Sequence, residues 1–307
     1  MSTPQVGIFS LGDASHSFLE FAMVAGAASK DAVSMIADMH GPRKTIEGVN
    51  FVVGFRPELW RAVAPADTPS DAASFEHELV GPDGYTIPAT QADIFIWIAG
   101  ASYDNVFDVA TAVVDILKPI ATPLREVTGW TYQHNRDLTG FQDGTENPTL
   151  VDAPDVALIP DGEPGAGGSI LLFQLWKHDA AAWRALPVEA QERIVGRTKA
   201  ESIEFDEGHM PADSHVTRTT LEEGGKELKI FRRNTPYGSV GDHGTVFVGF
   251  AKQQHRLQRM LERMAGIGDG VRDALTRFSI PLTGAYYFIP ALSALARFAT
   301  PSTEAQA

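Results

Sequence analysis

The same order of secondary-structure elements is predicted twice along this chain, and that repeat constrains the fold more than any other feature of the sequence. Apolar runs bounded by turn residues predict strands in the first half at 6–9, 49–55, 93–100 and 122–131. Apolar residues at helical spacing predict helices at 15–39 and 106–117. The first half therefore runs strand, helix, strand, strand, helix, strand.

The second half is predicted to repeat this order after a Pro- and Gly-rich connection at 150–168. Its predicted strands and helices lie at 169–176, 187–198, 228–233, 245–251 and 257–264, with a further helical turn at 272–278. This order is typical of the ferredoxin-like arrangement, in which helices cover one face of an antiparallel sheet. We therefore expect an α+β fold with two ferredoxin-like domains, at 1–145 and 146–299, and a flexible tail at 300–307.

Charge and composition argue against several classes of function. The formal net charge of −14 argues against binding to nucleic acid, because phosphates require a basic surface. The chain has no cysteine, so it forms neither disulfides nor thiolate metal sites. Residues 1–10 lack the pattern of a signal peptide, and the longest apolar run, 94–101, is far shorter than the ~20 residues that span a bilayer. We expect a cytoplasmic protein with no membrane partner.

The sequence GFQDGTENP at 140–148 is the most unusual turn in the chain. Asp-Gly and Asn-Pro both favour turns, and glycine removes the Cβ atom that would keep another group away from the backbone. One interpretation is a surface connection between two domains. The other is a functional site at Asp143, because aromatic and ionisable residues such as Trp130 and Tyr132 are unusually dense just before this turn.

The predicted strand at 228–233 carries two neighbouring arginines. Alternate residues of a strand share a face, so Arg232 lies on the apolar side with Leu228, and Arg233 lies on the other side. An inward guanidinium needs an anion or hydrogen-bond acceptors to offset its desolvation. Arg232 is therefore either a structural arginine paired with a carboxylate at the strand end or, beside Asp143, one half of an acid–cation pair.

A segment at 206–215 that contains His209 and His215 with several carboxylates is a further candidate site. One interpretation is a divalent-metal site, but the spacing does not match a zinc pattern and no helical His-x-x-x-His pair supports it. The other is a single axial histidine for haem iron, which requires one imidazole with a carboxylate behind it.

Five motifs occur in an order and at spacings that resemble the dye-decolorizing peroxidases. They are GFQDGTENP at 140–148, GRTK at 196–199, SHVTR at 214–218, IFRRNTPYG at 230–238 and TGAYYF at 283–288. The resemblance extends over essentially the whole chain and is to the compact bacterial class B of the family, with its two ferredoxin-like domains of the dimeric α+β barrel superfamily. It implies one haem b per chain. It also implies a peroxidase that reduces hydrogen peroxide through a ferryl intermediate and oxidises dyes, phenols or other small donors.

The resemblance assigns the cofactor contacts to particular residues. It implies that His215 is the proximal ligand of the haem iron. It implies that Asp273 accepts a hydrogen bond from the other ring nitrogen of that histidine, which makes the imidazole more anionic. Gly144 and Thr145, in the turn at 140–148, are expected to contact the cofactor.

The resemblance also assigns the residues that act on peroxide. It implies that Asp143 moves the peroxide proton, that Arg232 stabilises the negative charge as the O–O bond breaks, and that Asn234 lies beside them. Arg232 is further expected to meet a haem propionate. Whether Asp143 or Arg232 contributes more to peroxide cleavage stays open at this point.

Bulky dyes do not enter a buried site, so we expect their oxidation by electron transfer through surface aromatic residues. The candidates are Trp130, Tyr132, Tyr237, Tyr286 and Tyr287. Most aromatic residues of a globular protein lie in its core, and that alternative applies to each of these.

Two other functions are compatible with these sequence features. A haem-handling protein that stores or delivers haem, or releases its iron, would use the same pocket, and a haem-free metal hydrolase would use the segment at 206–215. The resemblance implies a homo-oligomer, either a dimer or a hexamer. The sequence has no obvious C-terminal peptide of the kind that loads some relatives into encapsulin shells, so packaging in such a shell is not expected.

Overall fold

The computed structural model describes residues 2–39, 48–133 and 135–301. In chain order, helices α1 to α9 are Ser29–Met39, Pro57–Val63, Tyr103–Leu117, Ala153–Ala157, Ala180–Ala185, Val188–Val195, His215–Thr219, Gln254–Met264 and Leu292–Leu295. Strands β1 to β14 are Ser15–Met23, Asn50–Phe55, Leu79–Val80, Thr86–Ile87, Ile94–Gly100, Ala121–Trp130, Ser169–His178, Glu222–Glu223, Lys226–Glu227, Phe231–Arg232, Thr235–Gly238, His243–Ala251, Ser279–Pro281 and Ala285–Ile289. Within these ranges, no helix has both the length and the apolar character needed to cross a membrane.

Strands from both halves of the described chain close into one antiparallel barrel. Around the barrel the order is β12, β11, β6, β1, β5, β2, β14 and β7, and β7 pairs back onto β12. Two short strands extend this barrel: β10 pairs with β12, as β11 does, and β13 pairs with β7, as β14 does. A closed barrel satisfies the backbone groups that an open sheet would leave at its edges.

The barrel consists of two four-stranded groups joined along two short seams. The groups β6-β1-β5-β2 and β14-β7-β12-β11 have the same order, which is the fourth, first, third and second of their main strands along the chain. The pairs at the seams are Gly129 with Tyr237 and Phe55 with Phe288. A Cβ atom on Gly129 would lie 2.5 Å from the Thr235 hydroxyl oxygen, so a larger residue there would push the two groups apart.

The barrel has an aromatic interior and a helix-covered exterior, as alternation along β5 illustrates. Phe95 and Trp97 lie in the interior cluster, whereas Ile94 and Ile96 belong to the cluster that includes residues of α1, α3 and α8. All seven residues of β5 are buried. Because full burial of one large apolar side chain contributes roughly 1.5–3 kcal/mol, both faces of this strand stabilise the fold.

Two of the sequence predictions near the N-terminus are wrong. Residues 6–9 form a 3-10 turn at Val6–Ile8 rather than a strand. Residues 15–39, predicted as one helix, form β1 and then α1, separated by a turn at Gly26 with φ 87°. β1 pairs along one edge with β5 and along the other with β6, so sheet pairing overrides the local apolar spacing that suggested a helix.

The second half also departs from the prediction at several places. Only Phe231–Arg232 of the predicted strand at 228–233 is a strand, and the predicted turn at 272–278 is a 3-10 turn at Ala274–Arg277. β13 and β14 were not predicted, although β14 closes the barrel. The other predicted strands and helices are confirmed to within a few residues, as is a mixed fold with antiparallel sheets. Residues 302–307 of the predicted tail lie outside the described residues.

Candidate active site

His215 is the first residue of α7 and lies on the wall of a large cavity. The N-cap of this helix is Ser214, a buried residue whose hydroxyl oxygen accepts a hydrogen bond from the Thr217 main chain at 3.3 Å. The cap fixes the first turn, and the imidazole of His215 therefore leaves the helix at a defined position.

His215 and Asp273 form the histidine cluster. The Nδ1 atom of His215 lies 2.7 Å from the Oδ2 atom of Asp273, whose side chain is 0% exposed. The other carboxylate oxygen accepts a hydrogen bond from the Leu275 main chain at 2.9 Å. Because Nδ1 is used in this bond, Nε2 is the ring nitrogen left for a ligand in the cavity.

Two further contacts hold the histidine cluster together. The Ala274 main chain donates to the Asp213 carbonyl oxygen at 2.8 Å, which ties the residue after Asp273 to the segment that leads into α7. The buried Arg218 of α7 makes a two-pronged ion pair with Asp269, at 2.7 and 2.9 Å. The imidazole and its carboxylate thus rest on two segments that are joined directly.

Asp143 lies in a loop that Asn147 fixes to the barrel. The Asn147 side chain donates to the carbonyl oxygen of Arg232 at 2.8 Å and accepts from the Arg232 main-chain N–H at 2.9 Å. Gly144 has φ 76°, and a Cβ atom there would lie 3.0 Å from the Asn147 amide nitrogen. The Asp143 main chain donates to the Asn135 carbonyl oxygen at 2.9 Å. These contacts place Asp143 and Arg232 at one point of the cavity wall.

Asp143, Arg232 and Asn234 form the carboxylate cluster. The side-chain oxygen of Asn234 accepts a hydrogen bond from the Val248 main chain at 3.1 Å, which leaves its NH₂ group to bond with Asp143. Burial raises the pKa of the Asp143 carboxyl above its usual range, and the charge of Asp137 raises it further. Arg232 and the Asn234 hydrogen bond oppose this rise without cancelling it.

One cavity brings the two clusters together with other residues predicted from the sequence. Its lining includes His215, Asp143, Gly144, Thr145, Arg232 and Asn234. Its apolar wall includes Leu228, Ile230, Phe247, Met260 and Met264. The empty space of this cavity, including its open mouth, is about 1420 Å³. A smaller polar cavity shares the carboxylate cluster and extends to His16 and Tyr132.

The two neighbouring arginines face different environments, as the strand alternation predicts. Arg233 does not line the large cavity. Its guanidinium lies 5.1 Å from the centre of the Trp97 ring and donates to the Ile8 carbonyl oxygen at 2.9 Å. Burial lowers the pKa of Arg233 to about 10, and burial together with the charge of Arg233 lowers the pKa of His16 to about 4.

The segment at 206–215 does not form a metal site of its own. His209 is 81% exposed and bonds the neighbouring Asp206 at 2.7 Å. Across the part of the chain that the structure describes, no group of three or more His, Cys, Asp or Glu residues could hold a metal ion. The described residues therefore provide no site that supports the alternative of a haem-free metal hydrolase.

The aromatic residues proposed for surface electron transfer divide into two groups. Tyr286 and Tyr287 are buried, and the Tyr287 hydroxyl donates to the buried Glu20 at 2.5 Å, so neither residue is a surface site. Trp130, Tyr132 and Tyr237 are partly exposed.

Sequence reasoning missed several residues around the site. Asn147 was visible only as part of the 140–148 turn, and its bond to Arg232 spans 85 positions. Three further residues of the same cavity wall are Asp137, Thr245 and His178, and Thr245 is hydrogen-bonded to the other two. No local sequence pattern connects them. Only a three-dimensional arrangement could have identified them.

Comparisons with known proteins decide the family. The model described as Dyp-type peroxidase, C-terminal, matches residues 134–294. A dye-decolorizing peroxidase from Rhodococcus erythropolis is 35% identical over 267 residues, which cover 83% of this chain and 78% of that protein. This chain belongs to the Dyp-type peroxidase family. The resemblance seen in the five sequence motifs is therefore confirmed.

Solved structures resemble this Dyp-type peroxidase over nearly its whole length. A variant of DypB from Rhodococcus jostii RHA1 in complex with heme has a TM-score of 0.89 and 34% identity, covering 96% of this chain and 98% of that one. The encapsulated DyP-type peroxidase from Mycobacterium smegmatis has a TM-score of 0.87 and 32% identity, with 96% and 98% covered. A weaker match is a deferrochelatase from Yersinia pestis, 28% identical over 50% of this chain and 41% of that protein.

Proposed function

We propose that this protein is a haem-dependent peroxidase that reduces hydrogen peroxide and oxidises small electron donors such as dyes and phenols. The observation that carries the proposal is the bond of 2.7 Å between His215 and the fully buried Asp273, on the wall of a cavity that also contains Asp143 and Arg232. A carboxylate behind an imidazole raises the basicity of the ring as an iron ligand. Membership of the Dyp-type family supports this assignment.

The residues of the cavity suit haem. The wall provides one available imidazole nitrogen, on His215, and haem would need only one such nitrogen from the protein because the porphyrin itself supplies four nitrogens to the iron. The apolar residues of the wall, among them Phe247 and Met260, suit the macrocycle. Arg232 offers a cation for a propionate, and Gly144 and Thr145 of the loop lie at the same wall. We assign one haem b per chain to this cavity.

Haem iron, when bound, supplies the redox chemistry that breaks the O–O bond of peroxide. Asp143 in its carboxylate form accepts a proton from one peroxide oxygen and returns it to the other, which leaves as water. Arg232 stabilises the negative charge that develops on the leaving oxygen. Asn234 holds the Asp143 carboxyl in place through its amide, whose oxygen the Val248 main chain has already engaged.

We also propose a division of the barrel into two related units. The common strand order of the two four-stranded groups supports two ferredoxin-like units, divided near residue 145, as in the dimeric α+β barrel superfamily. A homo-oligomer, either a dimer or a hexamer, stays a prediction. That this protein is not packaged in an encapsulin shell also stays a prediction; a similar protein, from Mycobacterium smegmatis, is encapsulated.

The test of the proposed function is an absorption spectrum of protein expressed with sufficient haem. We expect a Soret band in the wild type that changes on addition of peroxide, and a lost or altered band in His215→Ala. His209→Ala is the matched control, because His209 lies on the same segment but is 81% exposed and bonds only within it. A His209→Ala spectrum like that of wild type, with an altered His215→Ala spectrum, supports the assignment. A wild type that takes up no haem overturns it.

The deferrochelatase match favours a second candidate, a protein that handles haem and releases its iron. It would use the same cavity but would consume haem rather than retain it. Release of iron is measured by capture in a coloured chelator together with the fluorescence of the iron-free porphyrin. Stoichiometric production of iron-free porphyrin, with no saturable turnover of peroxide, would favour this candidate over the peroxidase.

A further inference from the structure

A chain of polar side chains leads away from the carboxylate cluster toward solvent. The Thr245 hydroxyl donates to the Asp137 carboxylate, and the Nε2 atom of His178 lies 3.2 Å from the same hydroxyl oxygen. The His178 ring is partly exposed at the end of β7, and its centre lies 6.5 Å from that of the His243 ring. The bond directions are consistent, because His178 Nε2–H can donate to Thr245 while Thr245 donates to Asp137.

Asp137 connects this chain to Asp143. Both residues line the large cavity and the smaller cavity, so both carboxyl groups border space that a bridging water molecule can occupy. Their negative charges interact, since Asp137 raises the pKa of Asp143. The Asp137 main chain is fixed by a bond of 2.9 Å to the Phe141 carbonyl oxygen, which holds its side chain in this position.

The proposed reaction requires protons from solvent. Reduction of peroxide to water follows H₂O₂ + 2 e⁻ + 2 H⁺ → 2 H₂O. Breaking the O–O bond only transfers a proton from one peroxide oxygen to the other, so the two protons enter while electrons arrive from the donor. When a bulky donor is oxidised at the surface, its electron reaches the site without its proton. The carboxylate cluster therefore needs a proton supply other than the donor.

We propose that His178, Thr245 and Asp137 form a proton path that connects Asp143 with solvent. This inference rests on the proposed peroxidase function. A proton moves from Nε2 of the positively charged His178 imidazolium to the Thr245 oxygen as the Thr245 hydroxyl proton moves to the Asp137 carboxylate, which leaves His178 neutral and Asp137 protonated. Asp137 then passes it, through one water molecule, to Asp143. His178 is protonated again from solvent. The three residues act through Asp143 and do not touch peroxide.

The surroundings of His178 suit this task. Burial lowers the pKa of His178, the charge of Asp137 raises it, and His243 lowers it. A ring with a pKa below the usual histidine range gives up its proton readily at neutral pH. The opposing charge of Asp137 keeps the ring able to accept a proton from solvent.

The test separates the step that needs no external proton from the steps that do. Thr245→Val removes the hydroxyl while it keeps the shape of the side chain. We expect its first spectral change with peroxide to match wild type. Ferrocyanide is a donor that brings electrons without protons, and with it we expect turnover to fall about 10- to 100-fold. A positioned proton-transfer group contributes roughly 10²–10⁴-fold, so this loss lies at or below the lower end of that range. The solvent isotope effect should increase, because proton delivery becomes rate-limiting.

Thr235→Val is the matched control for this experiment. The Thr235 hydroxyl is also buried, has no hydrogen-bond partner among the described residues, and lines only the smaller cavity. Full turnover in Thr235→Val with slow turnover in Thr245→Val supports the path. Equal slowing of both variants, or slowing of Thr235→Val alone, would assign proton delivery to water in the smaller cavity and overturn it. His178→Gln provides a second removal of the path at a different residue.

A measurement independent of turnover is the NMR titration of His178 in the diamagnetic carbon monoxide complex of the ferrous protein, with His178→Gln identifying the signal. We expect Asp137→Asn to lower the pKa of His178, because the carboxylate raises it. An unchanged pKa of His178 would overturn the proposed link between Asp137 and His178.

If wild type does not react with peroxide, the proposed function fails. If it reacts but Thr245→Val oxidises ferrocyanide at the wild-type rate, only the proton path fails.

Discussion

The histidine cluster and the carboxylate cluster each centre on one aspartate, but the two carboxyl groups have opposite surroundings. Asp273 bonds the His215 imidazole through one oxygen and the Leu275 main chain through the other. Asp143 bonds Asn234 and faces Arg232, yet Asp137 repels it and burial raises its pKa. A carboxylate with a fixed donor on each oxygen orients its partner. A carboxylate held among opposing charges can change its protonation state, which is the property that acid–base chemistry requires.

The largest effect on peroxide cleavage is expected in the carboxylate cluster. Asp143→Asn keeps the size of the side chain but removes the base, and Arg232→Leu removes the positive charge. Loss of a positioned base costs roughly 10²–10⁴-fold, and loss of one charge-stabilising donor roughly 10²–10³-fold. The rate of the first spectral change with peroxide measures both. The variant with the larger loss identifies the dominant residue, and wild-type rates in both would remove the carboxylate cluster from the mechanism.

Asp273→Asn should cost less and should act on the iron rather than on the peroxide proton. Loss of the carboxylate behind a ligating histidine typically costs about 10–100-fold in metal affinity or activity. We expect a shift of the Soret band and a higher reduction potential of the iron, because the imidazole becomes less anionic without the carboxylate. Both are measured in haem-loaded protein. A variant with an unchanged spectrum and unchanged haem affinity would show that the bond of 2.7 Å has no electronic role.

Asn147→Ala tests how far the carboxylate cluster depends on its loop. It removes both bonds to the Arg232 main chain and leaves those partly buried groups without partners, at a cost of roughly 1–3 kcal/mol for each. Chemical denaturation measures the loss. Asn147→Asp keeps the acceptor for the Arg232 N–H and loses only the donor, so it should lose about half as much. Equal stability of all three proteins would exclude the loop contact as a support.

The smallest effect concerns stability and pH. Folding raises the pKa of Asp143, so the folded state favours the protonated carboxyl, and stability falls as pH rises from the unfolded pKa through the folded pKa. Asp143→Asn removes this penalty. In haem-free protein we expect the variant to be more stable than wild type at neutral pH, with the difference vanishing below the unfolded pKa. A difference that does not change with pH would contradict the raised pKa.

The same shift predicts the pH dependence of peroxide cleavage. Asp143 acts as a carboxylate, so the rate of the first spectral change should rise with pH through the raised pKa and then level off. The rise should be absent in Asp143→Asn and present in Asp273→Asn, which distinguishes the two aspartates. A wild-type rate that is independent of pH in this range would show that Asp143 is not the base.

Local pattern determined several features of this protein. The uninterrupted apolar run of β5 predicts a buried strand because both of its faces are covered, and alternation along 228–233 separates Arg232 from Arg233 even though only two of those residues form a strand. The five motifs identified the family, and they contain Asp143, Arg232, Asn234 and His215 in short segments with distinctive composition, whereas Asp273 lies outside them.

Tertiary structure alone decided what these segments meet. β1 is a strand because two neighbouring strands satisfy its backbone groups, a fact that no apolar spacing within 15–39 contains. His215 and Asp273 are 58 positions apart, and Thr245 is 108 positions from Asp137. Hydrogen bonds between such distant residues depend on barrel closure and on the packing of whole segments, whereas propensity and periodicity act over a few neighbouring residues. The sequence therefore determines which residues are chemically able to act, and the closed barrel determines which of them act together.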